Sequence, residues 1–184
     1  MSFKSGVTTR VDNAQAILDA LKSLIKKDVL VGIPAEDSDR DDVSFGNAGI
    51  GYINEYGSPA QNIPPRPHLV PGVKSVEDQT MPQLKAAAQA VLDGNAAGVE
   101  RALNRAGTVA ARGVKNYINA ANFTPLADST VEARARRGRK GAKAELARRA
   151  AGESPGTTLA KPLYDTGKYL ASITHVVRDK DADS

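Results

Sequence analysis

The 184-residue sequence contains no cysteine and no tryptophan, and its aromatic residues are limited to five tyrosines and three phenylalanines. The absence of cysteine excludes disulfide bonds and zinc sites built from cysteine. With so few large aromatic side chains, the core has to be built from alanine, leucine, valine and isoleucine. Such a composition favours closely packed helices.

Long hydrophobic runs are also absent. No window approaches 18 consecutive apolar residues, so we expect no transmembrane helix and no membrane partner. Residues 1–15, MSFKSGVTTRVDNAQ, lack the apolar run of a secretory signal peptide. The net charge is +4 and the isoelectric point is about 9.3. This mildly basic charge is unevenly distributed, and its distribution is more informative than its total.

Apolar spacing predicts several helices separated by short β-rich runs. The length favours one domain, residues 1–184, with room for an appended arm. Pro82 is expected to mark a break or a new first turn in one helix. The predicted helices cover residues 11–27, 70–92, 96–121 and 168–172, and the predicted strands cover residues 29–33 and 173–177. The remaining stretches are predicted to be a long loop region at 35–71, with a short helix or strand at 48–56, and a basic arm or long loop at 124–162, with a short helix at 129–151.

A proline-rich stretch, IGYINEYGSPAQNIPPRPHLVPG, occupies residues 50–72. Each proline fixes its own φ and biases the preceding residue toward extended backbone, so the stretch is stiff before any partner binds. Arg66 and His68 are expected to project from it. A contact in an assembly, recognition by an SH3-like partner and a plain structural crossover all fit the pattern. The candidate contact residues are Tyr56, Gly57, Ile63, Pro64, Pro65, Arg66, Pro67 and His68.

A basic stretch lies between residues 134 and 149, with Glu145 as its one acidic residue. Clustered arginine and lysine attract phosphates, although the stretch lacks the interleaved aromatics of a single-strand binder. Docking to an acidic protein surface, a solvated mobile loop and direct nucleic-acid binding remain alternatives. The residues of this predicted arm are Arg134, Arg136, Arg137, Arg139, Lys140, Lys143, Arg148 and Arg149.

The sequence shows no pattern typical of a catalytic, cofactor or metal site. FGNAGIG (45–51) lacks the Lys-Ser/Thr of a P-loop. DSDRDD (37–42) lacks the glycine and the later glutamate of a calcium loop. His68 and His175 have no accompanying nucleophile motif. We therefore predict that the protein is not an enzyme and uses no cofactor or metal.

Three segments in this order carry a resemblance to a known family. They are VLVGIP (29–34), YINEYGSPAQNIPPRPHLVPGV (52–73), and FTPLADSTVEARARRG (123–138) with PLYDTGKYLASIT (162–174). Together they resemble the tail completion and neck proteins of long-tailed phages, including the lambdoid tail-component and Mu-type virion-morphogenesis groups. His68 stands where phenylalanine is common in that family. The residues that match the last motif are Pro162, Leu163, Asp165, Thr166, Gly167, Leu170, Ser172 and Ile173.

This resemblance implies a non-enzymatic structural protein of the virion, made in the host cytoplasm. It implies an α+β fold in which one or two long helices pack on a small antiparallel sheet. The implied partners are further copies in a ring, expected to be hexameric, the tail-tube or tail terminator protein and the head connector. DNA in the lumen is a further candidate partner. The charge distribution leaves one alternative, a basic DNA-binding accessory protein with a flexible arm.

Overall fold

The computed structural model describes residues 14–39 and 45–180. In this part the chain is mostly helical with a small two-stranded antiparallel sheet, consistent with the predicted α+β class. The elements in chain order are α1 (Ala14–Ile25), β1 (Lys27–Gly32), α2 (Gly46–Tyr56), α3 (Leu69–Lys74), α4 (Glu77–Leu92), α5 (Ala96–Ala120), α6 (Asp128–Arg136), α7 (Lys140–Ala150), α8 (Lys168–Ser172) and β2 (Thr174–Asp179).

Helix α5 lies at the centre of the packing and contacts α3, α4 and both strands. The side chain of Asn95 caps its start, since Oδ1 accepts the Gly98 amide at 2.9 Å. Its buried face is rich in alanine and glycine, which lets neighbours approach closely. At Gly107 a Cβ would lie 2.2 Å from Cδ2 of His175, so glycine is needed for β2 to reach the helix.

The two strands pair with Val29 opposite Val177 and Leu30 opposite Val176. Successive side chains of a strand point to opposite faces. Val29, Val31 and Val177 accordingly pack against buried clusters, whereas Leu30 and Val176 are exposed. The predicted strands are therefore present with small shifts of their bounds, and one face of the sheet is open.

The core consists of three clusters. Complete burial of a side chain such as Ile118 or Ile173 contributes about 1.5–3 kcal/mol. The third cluster belongs to α6, α7 and the chain that follows them, so this region has a hydrophobic core of its own. The buried members are Val114, Ile118, Phe123, Leu163, Tyr169 and Ile173 in the first, Ala87, Val99, Ala102 and Leu103 in the second, and Leu126, Val131, Ala142 and Ala160 in the third.

The predicted helix over residues 70–92 is two helices, and the break lies at Ser75 and Val76 rather than at Pro82. The Ser75 hydroxyl donates to the Gly72 carbonyl at 2.7 Å, which satisfies an acceptor at the end of α3. Pro82 lies inside α4, which continues past it with one amide fewer for its hydrogen bonds.

Helix α2 lies within the predicted loop region at 35–71, where a short helix or strand was expected at 48–56, and it begins two residues earlier. Glycine disfavours an isolated helix, but here it allows close packing. A Cβ at Gly51 would lie 3.1 Å from the Tyr169 hydroxyl. Residues 11–13 of the predicted first helix and residues 40–42 of the DSDRDD stretch lie outside the described residues.

Candidate partner-binding surface

The proline segment, defined here as residues 57–68, folds back on itself after α2. Ser58 and Ile63 form an antiparallel bridge around a 3-10 turn at Pro59–Gln61. Gly57 has φ 79°, and a Cβ there would lie 2.9 Å from the Ile63 carbonyl oxygen, so this position requires glycine. The segment is thus shaped by its own backbone contacts.

Arg66 points into the protein, so the prediction that it projects from the segment is wrong. The residue is 5% exposed. Its Nε donates to the Thr124 carbonyl at 2.9 Å and its Nη2 donates to the Pro125 carbonyl at 3.1 Å. Burial lowers the pKa of the guanidinium. Because buried donors need acceptors, these two carbonyls hold Arg66 inward and tie the proline segment to the chain that leads into α6.

His68 is also buried, and the prediction that it projects is wrong for the same reason. Its Nδ1 donates to the Arg66 carbonyl at 2.8 Å and lies 3.2 Å from Oε2 of Glu55. Both oxygens are acceptors, so Nδ1 carries the proton and Nε2 accepts from the Tyr169 hydroxyl. Burial lowers the pKa of His68 and raises the pKa of Tyr169. The pair is therefore neutral at physiological pH.

Glu55 completes this arrangement from the last turn of α2. Its Oε2 accepts the amides of His68 at 2.7 Å and Leu69 at 2.9 Å, and its Oε1 accepts the Val70 amide at 3.3 Å. These amides open α3, where no earlier residue of the helix can accept from them. We call Glu55, His68 and Tyr169 the Glu55 network. It fixes the end of the proline segment to α2 and α8.

An aromatic surface remains exposed on α2. Tyr52 and Tyr56 are both 67% exposed, and their ring centroids lie 5.0 Å apart. Phe45, just before the helix, is also exposed. We call these three residues the α2 surface. The prediction included Tyr56 and missed the other two, although the spacing of Tyr52 and Tyr56 by four residues is the signal that could have found the pair.

The predicted contact residues therefore divide into three groups. Tyr56, Pro65 and Pro67 are exposed and adjoin open surface. Gly57, Ile63 and Pro64 are half-buried, and they shape the segment. Arg66 and His68 are buried and serve as internal anchors.

The predicted basic arm, for which a short helix at 129–151 was expected, contains the two helices α6 and α7. Helices α6 and α7 pack on each other over Val131 and Ala142, which are almost completely buried. We call residues 128–165 the basic unit. Small apolar residues are sufficient for its core because the helices approach closely. At Gly141, a Cβ would lie 2.1 Å from the Leu159 carbonyl oxygen.

Three arginines of the basic unit lie around the carboxylate of Asp165. Arg137 and Arg139 each donate to its carboxylate at 2.9 Å. The Arg134 side chain is mostly buried, lies 4.0 Å from the same carboxylate and donates to the carbonyls of Lys161 and Tyr164. Asp165 thus closes the basic unit, and the residue that directly precedes α8 is Gly167.

Glu145 pairs with Arg148 and Arg149, the last two arginines of the predicted arm. It is 1% exposed, and it accepts from Arg148 at 3.1 Å, Arg149 at 2.9 Å and the Gly156 amide at 2.7 Å. The Gly156 amide and the two guanidinium groups hold the pKa of Glu145 down to about 2, against the opposing effect of burial. Arg149 also donates to Asp128 at 2.6 Å. We call these groups the Glu145 network.

The other basic residues of the predicted arm face solvent. Arg136 lies 4.0 Å from Glu132, and both side chains are exposed. Lys140 and Lys143 are exposed on α7, and no carboxylate of the described residues lies within 4 Å of either. Five of the eight predicted arginines and lysines thus hold the unit together, and the other three, Arg136, Lys140 and Lys143, lie at its exposed surface.

The residues of the last family motif surround the end of the basic unit and α8. Leu163 has φ 61°, an uncommon backbone conformation for leucine, and its side chain is buried in the first core cluster. Thr166 Oγ1 accepts the Lys168 amide at 3.3 Å before α8. Pro162, Ser172 and Ile173 are buried, whereas Gly167 and Leu170 are half-buried.

Within residues 14–39 and 45–180, no group of three or more histidines and carboxylates is placed to hold a metal ion. None of the helices described is both long and apolar enough to cross a membrane. Comparison of the chain with family models, curated proteins and solved structures gives no match.

Proposed function

We propose that this protein is a structural component of a tailed phage, acting in tail completion or in the neck. In this proposal it assembles as a ring at the head–tail junction and joins the tail to the connector by non-covalent contacts. The observation that carries the proposal is that the second and third segments of the resemblance, which are distant in sequence, contact each other in the fold. Arg66 contacts Thr124 and Pro125, and His68 contacts Tyr169.

These contacts support the resemblance because each joins two of the resembling segments. A chance similarity of three separate short motifs would not require their residues to meet in space. Here the second segment reaches the third twice, once before α6 and once in α8. The pairing of Gly32 with Thr174 joins the first segment to the third, so the three segments form one structural unit.

The α2 surface supports self-association. Tyrosine is enriched at protein interfaces, and two tyrosines exposed side by side leave a large aromatic area in water. The proline segment follows directly after Tyr56, and its Pro65 and Pro67 are exposed. Since the segment is already shaped, little conformational entropy is lost when it docks. In a head-to-tail ring each subunit offers this surface once, and many such contacts act together.

The proposed partners follow from this arrangement. The ring, proposed to be hexameric, contacts the tail-tube or tail terminator protein on one side and the head connector on the other. The protein is made in the host cytoplasm and ends in the virion. It has no catalytic role in this proposal, because the buried polar groups found here serve to hold segments together.

Sedimentation of the purified protein tests the assembly step. The double variant Tyr52→Ser/Tyr56→Ser should shift a ring-sized species to monomer while the melting temperature changes little. Tyr164→Ser is the matched control, because Tyr164 is also an exposed tyrosine but lies outside α2. Sedimentation of the double variant as the same oligomer as wild type would exclude the α2 surface as the subunit contact.

A further inference from the structure

A cleft of about 380 Å³ lies on the basic unit, between the first turn of α7 and the chain at residues 158–165. Its polar walls come from Arg134, Arg139, Lys140, Lys161 and Asp165. The cleft thus presents four cationic side chains and one carboxylate.

The carboxylate of Asp165, the acidic residue of the cleft, already has arginine partners. Asp165 accepts from Arg137 and Arg139 and lies close to Arg134. Lys161 donates to the Asn119 carbonyl at 2.6 Å, which provides a hydrogen bond but no negative charge. The charge of the cleft is therefore strongly positive after every internal pair has been formed.

The other acids of the basic unit are engaged away from the cleft. Glu132 lies beside Arg136, Glu153 pairs with Arg148, and both Asp128 and Glu145 pair with Arg149. No second carboxylate among the residues described lines the cleft. An anion bound from solution would therefore balance the positive charge of the cleft.

The walls of the cleft are fixed in place. The close contact of Gly141 with the Leu159 carbonyl sets the distance between α7 and the opposite wall. Two carbonyl oxygens hold the Arg134 guanidinium, whose pKa is lowered by burial and also by the neighbouring Arg137 and Arg139. Because Arg134 is already held in this way, it needs little further ordering when an anion binds.

We propose that this cleft binds phosphate groups, either those of a nucleic-acid backbone or free phosphate. Guanidinium groups pair with phosphate oxygens in a planar fork, and lysines add point charges without a geometric requirement. Recognition of this kind is independent of base sequence and sensitive to salt. The inference rests on the cleft alone, so it can fail or hold independently of the assembly proposal.

Binding to a labelled DNA duplex, measured by fluorescence anisotropy over a range of salt, tests the inference. Arg139→Gln/Lys140→Gln removes two charges from the cleft, whereas Arg136→Gln/Lys143→Gln removes two charges from the same unit outside it. Arg139→Gln/Lys140→Gln should weaken DNA binding roughly tenfold and should reduce the slope of log affinity against log salt concentration by about 2. Arg136→Gln/Lys143→Gln should change the affinity and the slope little. Lys140→Gln against Lys143→Gln repeats the comparison without touching an ion pair.

A titration with inorganic phosphate followed by NMR distinguishes the source. Amide shifts at Gly141 and Ala160 with phosphate, lost in Lys140→Gln, support the cleft as a phosphate site. If the duplex also binds through the cleft, the ligand is a nucleic-acid backbone; if the duplex does not, the ligand is free phosphate. Equal weakening by the two double variants, together with no phosphate-induced shifts, would overturn the proposal.

Discussion

Glu55 and Glu145 are both buried carboxylates, yet their surroundings differ in charge. Glu55 accepts three backbone amides and faces a neutral histidine. Glu145 accepts one amide and pairs with two guanidinium groups. The first carboxylate positions a stiff segment by hydrogen bonds, and the second neutralises cations within a small helical unit.

This difference explains how the protein orders two stretches that look irregular in sequence. Proline removes backbone donors, so the proline segment needs side chains such as Arg66 and His68 to attach it to the rest of the protein. The basic unit contains few large apolar side chains, so an ion-pair network adds to a core of alanine, valine and leucine. In each case a charged or polar residue that was expected at the surface acts as an internal anchor.

The largest effect is expected from breaking the Glu145 network. Glu145→Gln leaves Arg149 mostly buried with Asp128 as its remaining carboxylate, and loss of one partner of a buried ion pair costs about 3 kcal/mol. The loss of unfolding free energy is measured by urea unfolding followed by circular dichroism. Glu132→Gln, an exposed glutamate in the same unit, is the control and should change stability by less than about 0.5 kcal/mol. Equal losses would show that Glu145 is not an anchor.

A smaller loss is expected when the Glu55 network is altered. Glu55→Gln keeps the size of the side chain but replaces one acceptor oxygen by a donor, so at least one amide at the start of α3 is left without its partner. The cost is about 2 kcal/mol. Hydrogen exchange should become faster at Leu69 and Val70 while exchange within α7 is unchanged. Uniform acceleration across both regions would contradict the separation of the two networks.

Removing one hydroxyl should have a still smaller effect. Tyr169→Phe leaves Nε2 of His68 without its donor and should cost about 1 kcal/mol of unfolding free energy. Tyr117→Phe is the matched control, because Tyr117 is a half-buried tyrosine beside the same core cluster. The thermal unfolding of both variants gives the comparison, and no difference between them would argue against the His68–Tyr169 bond.

The two networks should respond to acid in different pH windows. Burial lowers the pKa of His68 below 6.5, so the unfolded chain binds this proton more readily and stability falls as the pH drops below 6.5. The pKa of Glu145 falls from 4.5 to about 2, so its contribution is complete above pH 4.5 and is lost toward pH 2.

Variants can separate these windows in urea unfolding measured across pH. His68→Gln should remove the loss of stability that begins below pH 6.5 and leave the second loss in place. Glu145→Gln should remove the loss below pH 4.5. His175→Gln is the control for the first window. A wild-type stability that is constant between pH 7 and pH 4.5 would contradict the account of His68.

The sequence predicts the regular elements better than their contacts. The apolar spacing of α5 and the β-branched runs of the two strands were sufficient to locate them, because those patterns are local. Helix α2 was predicted only as a short helix or strand at 48–56, because its glycines disfavour a helix unless Tyr169 packs against them. The packing of α6 on α7 was not predicted, because the ion pairs of the basic unit join residues that are distant in sequence, such as Arg137 and Asp165.

The candidate surface was predicted in part. The proline content predicted a stiff segment, but the direction of Arg66 and His68 depends on partners before α6, in α8 and in α2 that no local pattern reveals. Tyr56 was named as a contact residue and is exposed, and Tyr52 could have been added from its spacing. The helical spacing of Glu145 to Arg148 and Arg149 was likewise visible, and it could have indicated an internal ion-pair network.

We propose that this protein joins the head and the tail of a phage. Electron microscopy of a lysate from the phage with this gene deleted tests the proposal. Filled heads and separate tails are expected, with tails of uniform length if the protein acts after the tail is complete and overlong tails if it terminates the tube. Intact, infectious particles would overturn the proposal.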